Sequence, residues 1–113
     1  MSRGEPVIVH RGPRYDRFGN TIDGGGDVTV RGVVAPGAAS RWAESVRDGR
    51  SIAYTVFITG QPRDIDTGDA VAIGADDLVT IRDARELSIV VNDWRSPWTA
   101  RRGLELVALG GVG

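Results

Sequence analysis

The sequence contains no cysteine, which excludes a disulfide framework, a thiolate zinc site and a cysteine nucleophile. Its one histidine, His10, lies in no recognisable serine–histidine–aspartate motif, and a metal site would depend on carboxylates alone. No apolar run approaches the roughly 20 residues that span a bilayer. Arg3 and Glu5 stand where a signal peptide would be apolar. We therefore expect no enzyme activity, no cofactor, no metal and no membrane contact.

Lysine is also missing, so all 14 basic residues are arginine; with 15 acidic residues they leave a formal net charge of −1. Proteins that grip duplex DNA usually carry a clear basic excess, because neutralisation of phosphates dominates their affinity. We therefore expect any contact with nucleic acid to be weak or made only by an assembly. The length and the 41% hydrophobic composition predict one domain over residues 1–113.

Segments with apolar residues at every second position predict short β-strands along most of the chain. The clearest is 51–59, where alternate positions from Ile52 to Ile58 are large and apolar. Most of these segments are bounded by turn residues, a pattern typical of a barrel or sandwich. The prediction is an all-β fold, a small β-barrel of short antiparallel strands with one long inserted loop. The predicted strands are 6–10, 27–35, 51–59, 70–73, 78–81, 87–92 and 104–109, with 70–73 and 78–81 forming a hairpin.

Three places interrupt the alternation. Residues 11–26 are polar and rich in glycine, which indicates a loop. Gly32 precedes a shift of the apolar positions to Val33 and Val34, which predicts a β-bulge or a sharp bend. Residues 35–50 predict the long inserted loop, with one or two helical turns that Ser40 would cap.

The acidic run Asp64-Ile65-Asp66-Thr67-Gly68-Asp69 invites comparison with a calcium-binding loop. An EF-hand loop needs glycine at its sixth position and glutamate at its twelfth. Here Gly68 is fifth, and the twelfth residue is Ala75. The run therefore predicts a turn that leads into a strand, and not a calcium site.

The tryptophan segment, Asp93–Gly103, is the most distinctive part of the sequence and is expected to be an exposed loop. It combines two tryptophans with three arginines, which is the composition of an interface anchor. The tryptophans alternatively fold back over the open end of the barrel as core caps. Stacking on single-stranded nucleic acid is a third and weaker alternative. The candidate interface residues are Trp94, Arg95, Pro97, Trp98, Arg101 and Arg102.

A succession of motifs resembles the head-to-tail stopper, or head-completion, proteins of long-tailed phages that infect actinobacteria. The resemblance covers nearly the whole chain and lies in the order of the motifs, since none is diagnostic alone. The polar Asp76-Asp77 departs from the family, which often has an aromatic strand there. The matching segments are Val7-Ile8-Val9-His10-Arg11, Asp16-Arg17-Phe18-Gly19, Val33-Val34-Ala35-Pro36-Gly37, Gly68-Asp69-Ala70-Val71 and Trp94-Arg95-Ser96-Pro97-Trp98-Thr99.

The resemblance implies a structural protein of the virion, made in the host cytoplasm and located at the head–tail connector. Stoppers form a ring, expected here as a hexamer or dodecamer, beneath the portal and adaptor rings, and they present a surface to the tail terminator or tail tube. They help to retain packaged DNA, which passes through the ring without sequence-specific binding. A long loop of the family points into the channel, and by position it matches residues 35–50. The implied channel residues are Ser40, Arg41, Trp42, Glu44, Arg47 and Arg50.

Two alternatives from other classes stay open. An OB-like barrel that binds single-stranded nucleic acid would need arginines and aromatic residues on one barrel face. A small enzyme or cupin-like barrel would need a cluster of metal ligands.

Overall fold

The computed structural model describes residues 4–23, 25–37, 50–82, 85–95 and 102–112. Within these ranges the secondary structure is entirely β-sheet and turns, without a helix. The eight strands are β1 (Glu5–Arg11), β2 (Arg14–Tyr15), β3 (Thr21–Asp23), β4 (Gly26–Pro36), β5 (Arg50–Thr59), β6 (Leu78–Thr80), β7 (Leu87–Arg95) and β8 (Arg102–Val112).

Six of these strands form a closed antiparallel barrel in the order β1-β4-β5-β8-β7-β6. The barrel closes where β1 meets β6, through only three residue pairs: Ile8 with Thr80, Val9 with Val79, and His10 with Leu78. On its other side β1 pairs with β4 over seven residues, from Glu5–Gly32 to Arg11–Gly26. The prediction of an all-β fold and a small barrel is confirmed. We call the short β1–β6 pairing the seam.

The core lies inside the barrel and consists of inward-facing aliphatic residues of all six strands, together with Val71 and Ile81 from the connections. Because successive side chains of a strand point to opposite faces, the buried residues recur with a period of two. Leu87 and Ile89 of β7 follow this rule, as the sequence predicts, and Val91 packs against the same cluster. The buried members of the cluster are Val7, Val9, Val30, Val56, Ile58, Val71, Val79, Ile81, Leu87, Ile89, Leu104, Leu106 and Ala108.

The β-bulge predicted at Gly32 is absent. β4 pairs with β1 up to Gly32 and with β5 from Val33 onward, and neither pairing has a register shift there. Gly32 itself faces the core in phase with Val30, and a Cβ atom on it would lie 2.6 Å from Val56 Cγ1. The glycine therefore allows close packing inside the barrel, and the apolar Val33 is an exposed outer residue.

The irregularity in the sheet lies instead in β5. The register with β8 shifts around Ile52, so Ile52 pairs with Leu109 and Tyr54 with Ala108. Ile52 consequently packs on the outer face, against Val107 and Leu109, and does not share the face of Val56 as the alternation predicts. Val107 is fully buried on this face, so β8 is covered on both of its faces.

The predicted hairpin between 70–73 and 78–81 is also wrong. Leu78–Thr80 is a strand, but it pairs with β1 and β7. Residues 70–73 form a connecting segment whose only bridge in the described chain joins Ala70 to Arg63. Val71 is held by hydrogen bonds to Pro62 and Gln61, and its side chain enters the core. Its burial explains the apolar pattern without a strand.

Residues 11–26, predicted as a loop, instead contain the paired strands β2 and β3. We call Arg14–Asp23 the arm, because it continues the β1–β4 ribbon beyond the last barrel pair, Arg11 with Gly26. Gly25 adopts a left-handed φ of +80°, and a Cβ atom there would lie 2.5 Å from Arg11 O. Only glycine fits at this junction between barrel and arm.

The inserted loop predicted at 35–50 lies between β4 and β5. Its first residues, Ala35 and Pro36, are the end of β4, and Arg50 is the first residue of β5. Residues 38–49, including the predicted helical turns, lie outside the described residues.

Candidate interaction surfaces

The tip of the arm is a rigid turn organised by one carboxylate. Asp16 Oδ1 accepts hydrogen bonds from the backbone N–H groups of Phe18 at 2.8 Å and Asn20 at 2.9 Å. The Asp16 N–H in turn donates to Asn20 O, and Gly19 has a left-handed φ of +83°. The hydrogen bond from Asn20 N–H is the largest cause that lowers the pKa of Asp16. The turn is therefore ordered by contacts of its own.

The arm exposes large apolar side chains to solvent, one in the turn and two on its strands. Phe18 is 74% exposed, Ile22 70% and Tyr15 58%. The Arg17 guanidinium carbon lies 4.8 Å from the centroid of the Phe18 ring, within the range of a cation–π contact. A group of exposed apolar residues on a rigid projection is typical of a protein contact site.

His10 connects three strands across the outside of the seam. Its Nδ1 lies 2.9 Å from Asp27 Oδ1 on β4, and its Nε2 lies 2.7 Å from Thr80 Oγ1 on β6. Glu86 Oε1 is 3.8 Å from the same Nδ1. The sequence shows no partner for His10, because Thr80 is 70 residues away. The order hydroxyl–imidazole–carboxylate is also that of a hydrolase triad. We interpret it as a cross-strand tie, since the Thr80 backbone is part of the β1–β6 ladder.

A second tie crosses the seam at its other end. Arg82 Nε and Nη2 donate to Glu5 Oε1 and Oε2 at 2.6 and 2.8 Å, which is a bidentate ion pair. These hydrogen bonds hold the pKa of Glu5 below its ordinary value. Arg82 has a left-handed φ of +53°, so its backbone is strained while its side chain is held.

Between the two ties the outer surface has an open pocket of about 270 Å³, which we call the seam pocket. Its apolar floor is formed by Pro6 and by Ile8, which is 37% exposed. Its lining residues are Glu5, Pro6, Ile8, Thr80 and Arg82.

The tryptophan segment is only partly a loop, because β7 continues to Arg95 and β8 begins at Arg102. Trp94 thus lies on a strand, opposite Gly103. A Cβ atom on Gly103 would lie 2.7 Å from Trp94 Cζ2, so the indole packs on bare backbone. At 39% exposure Trp94 keeps an accessible face, more than a core cap would show.

Two further predicted interface residues lie at the same end of β7 and β8, with Arg102 on the opposite face of the sheet from Trp94. Arg95 pairs with Arg102 across β7 and β8. Arg102 Nη2 lies 3.3 Å from Asp93 Oδ2, an exposed ion pair at the rim of a small pocket that Gln61 and Ala72 also line. Pro97, Trp98 and Arg101 lie outside the described residues.

The predicted channel residues are almost all outside the described ranges. Arg50 is the exception, as its backbone pairs with Val112 at the start of β5. The others are Ser40, Arg41, Trp42, Glu44 and Arg47.

The acidic run at 64–69 forms the predicted turn, but the segment that follows it is not a strand. Asp64 Oδ1 accepts from Asp66 N–H, Thr67 Oγ1 accepts from Asp69 N–H, and Asp64 N–H donates to Asp69 O. Among the residues that the structure describes, no group of three histidine or acidic side chains is placed to hold a metal ion. The same residues include no helix long and apolar enough to cross a membrane.

The arm and the seam pocket are the surfaces that the sequence interpretation missed. The arm had a local signal: Asp16 and Gly19 have the spacing of a turn, and Tyr15 and Ile22 flank them with β-forming residues. The seam pocket had none, because Ile8 and Thr80 meet only through closure of the barrel.

Comparisons with protein-family models, with curated proteins and with solved structures give no significant match to this chain.

Proposed function

We propose that this chain is a structural subunit of a phage head–tail connector, the head-to-tail stopper. In this role copies form a ring beneath the portal and adaptor rings, help to retain packaged DNA and offer a docking surface to the tail terminator or tail tube. The observation that carries the proposal is the closed antiparallel barrel, found in a chain whose succession of motifs resembles that of the stopper family.

The position of the long connection supports the same proposal. Residues 37–49 join β4 to β5, which is where the stopper family inserts its channel loop. The barrel on either side of this insertion is complete, since β4 and β5 pair directly through Val33–Phe57 to Pro36–Tyr54. An insertion between two paired strands can vary without disturbing the core.

The charge of the subunit supports a passage for DNA more than a clamp. A chain with net charge −1 supplies no basic excess to hold phosphates. Several described arginines donate to groups of the protein itself, as the Arg82–Glu5 and Arg102–Asp93 pairs show. DNA that must leave during infection is compatible with such a surface.

The proposal is tested by an amber codon in the gene of this chain, in the phage that encodes it. We expect tails to accumulate separately from heads, and the heads to lose packaged DNA, as seen by electron microscopy and nuclease sensitivity. Expression of the chain in trans restores joined particles. Normal particles made without the chain would contradict the proposal.

A shortened variant addresses the channel loop separately. Replacing residues 38–49 by a short glycine–serine linker should leave the barrel folded, with joined particles that leak DNA. Shortened particles that retain DNA as well as the parent would remove the gating role but not the docking role.

The alternative is an OB-like barrel that binds single-stranded nucleic acid. It has less support, because this barrel closes with six strands and the OB-fold has five. Titration with short oligonucleotides over a range of salt concentrations distinguishes the two. Binding that weakens steeply with salt, with normal head–tail joining in the amber mutant, would favour the alternative.

A further inference from the structure

We propose that the arm of one copy of this chain docks on the seam of a neighbouring copy, with Phe18 seated in the seam pocket. The proposal deepens the ring-forming function proposed above, and it rests on that function for the expectation of a head-to-tail contact between copies. Both surfaces of the proposed contact, the arm and the seam pocket, lie within the described residues.

The arm has the properties of an inserted anchor. Its turn is held by Asp16 before any partner binds, so docking Phe18 requires little ordering of the backbone. Phe18 exposes most of its ring at the tip, and burying a large aromatic ring in a pocket is the commonest source of interface affinity.

The seam pocket has the size and chemistry for this ring. Its volume is about 270 Å³, while a cavity of about 150 Å³ is enough to bind benzene. The exposed surfaces of Pro6 and Ile8 provide an apolar floor. Glu5 and Arg82 at the rim already satisfy each other, so the ring displaces no ion pair when it enters.

The arm follows the end of β1 that is farther from the pocket, so in the proposal Phe18 reaches the pocket of another copy and not its own. Phe18 follows Ile8 by ten residues, which cover the rest of β1, the strand β2 and the start of the turn. At about 3.3 Å per residue the tip lies up to about 30 Å from Ile8. A contact between two different patches of identical subunits is heterologous, which is the kind of contact that builds rings.

The charges beside the two surfaces match. Arg17 lies against Phe18 at the tip of the arm. The exposed carboxylates of Asp27 and Glu86 flank His10, two residues along β1 from Ile8. With Phe18 in the pocket, Arg17 of the arm faces this acidic side of the seam. Among the described residues, the one arginine that lines the pocket is Arg82, whose charge is paired with Glu5. The charge pair sets the orientation of the docked arm.

Cross-linking of two single-cysteine variants tests the contact, since the natural chain has no cysteine. Thr21→Cys labels the exposed side of the arm, and Arg31→Cys labels the outer surface beside Pro6. The two purified variants are mixed and treated with a short bis-maleimide. We expect a mixed dimer, with a yield that rises with protein concentration.

The control replaces Arg31→Cys by Ala72→Cys, an exposed position away from the seam, beside Asp93 and Arg102. Phe18→Ala in the arm-labelled chain, or Ile8→Glu in the seam-labelled chain, should lower the yield of mixed dimer at least about tenfold, the loss expected for truncating an anchor. Arg17→Glu in the first chain should also lower it, and Asp27→Arg in the second should restore it. Circular dichroism checks that each variant is folded.

Equal yields from the seam and Ala72 pairs, or yields that Phe18→Ala leaves unchanged, would overturn the docking proposal. This outcome is distinct from failure of the proposed function. If the amber mutant still yields separate heads and tails while cross-linking fails, only the docking proposal is wrong. If cross-linking succeeds while the amber mutant makes normal particles, the docking proposal stands and the stopper function does not.

Discussion

Gly32→Ala is expected to destabilise the barrel, although alanine is the smallest possible addition. A Cβ atom at this position would lie 2.6 Å from Val56 Cγ1 and 3.3 Å from Ile58 Cγ1. Val56 is fully buried, so it cannot move aside without displacing its own neighbours. The substitution therefore overpacks the interior of the barrel.

The expected magnitude follows from two opposing effects. Overpacking a close-packed core costs about 1–3 kcal/mol. The loss of glycine flexibility in the unfolded chain returns about 0.4–1 kcal/mol, because the φ of Gly32 lies outside the left-handed region. The net loss is about 1–2 kcal/mol of unfolding free energy. Val56→Ala alone should cost about 2–3 kcal/mol through lost burial and a cavity.

The double variant gives the sharper result. The alanine methyl at position 32 occupies part of the space that Val56→Ala leaves, so the two losses should not add. We expect the double variant to be more stable than the sum of the singles by about 1–2 kcal/mol. Urea unfolding followed by circular dichroism measures each variant, provided that the slopes agree.

Gly12→Ala is the matched control, since a Cβ atom on Gly12 meets nothing within 4 Å and its φ is also outside the left-handed region. It should change stability by less than about 0.5 kcal/mol. If Gly32→Ala is as stable as Gly12→Ala, or if the losses at Gly32 and Val56 simply add, then the barrel is not close-packed at Gly32 and the reason given for its glycine is wrong.

Three other predictions concern the ties and the exposed aromatic residues. The Arg82 hydrogen bonds lower the pKa of Glu5, so this pair stabilises the fold above the ordinary pKa of 4.5, and the contribution is lost as the pH falls through the lower value in the folded state. Glu5→Gln should therefore lower the Tm at neutral pH, and this deficit should shrink as the pH falls below 4.5; a deficit that stays constant down to the acid limit of the fold would contradict this linkage. Asp16→Ala removes the acceptor of two backbone hydrogen bonds in the arm turn; amide exchange at Phe18 and Asn20 should accelerate while the Tm of the barrel stays unchanged, and unchanged exchange would show that the turn is ordered by other contacts. Trp94→Ala should lower the unfolding free energy by about 1–2 kcal/mol, less than the roughly 3–5 kcal/mol of a fully buried aromatic residue, because the Trp94 ring packs on Gly103 but stays partly exposed. A thermal melt beside a head–tail joining assay checks this, and a loss of about 3–5 kcal/mol would show that Trp94 belongs to the core and not to an interface.

Local patterns were sufficient for most barrel strands and for the fold class. The alternation around Leu87 and Ile89 identifies the inner face of β7 because those side chains point to one side of any strand. The same argument failed at Ile52, where a register shift moves the side chain to the outer face. It also failed at Val71, which is buried from a connecting segment and so mimics a strand residue. Alternation of apolar residues indicates which side chains are buried, but it does not show which strand pairs with the segment, or whether the segment is a strand at all.

The sequence by itself determined an all-β domain with alternating strands, because the period of two is a property of the extended backbone. Tertiary structure alone decided which surfaces the molecule offers. The barrel closes through three residue pairs between β1 and β6, and this closure brings His10 to Thr80 and Glu5 to Arg82. The seam pocket exists only because residues some 70 positions apart become neighbours there. No local pattern encodes such a meeting, since it depends on the free energy of the whole closed sheet.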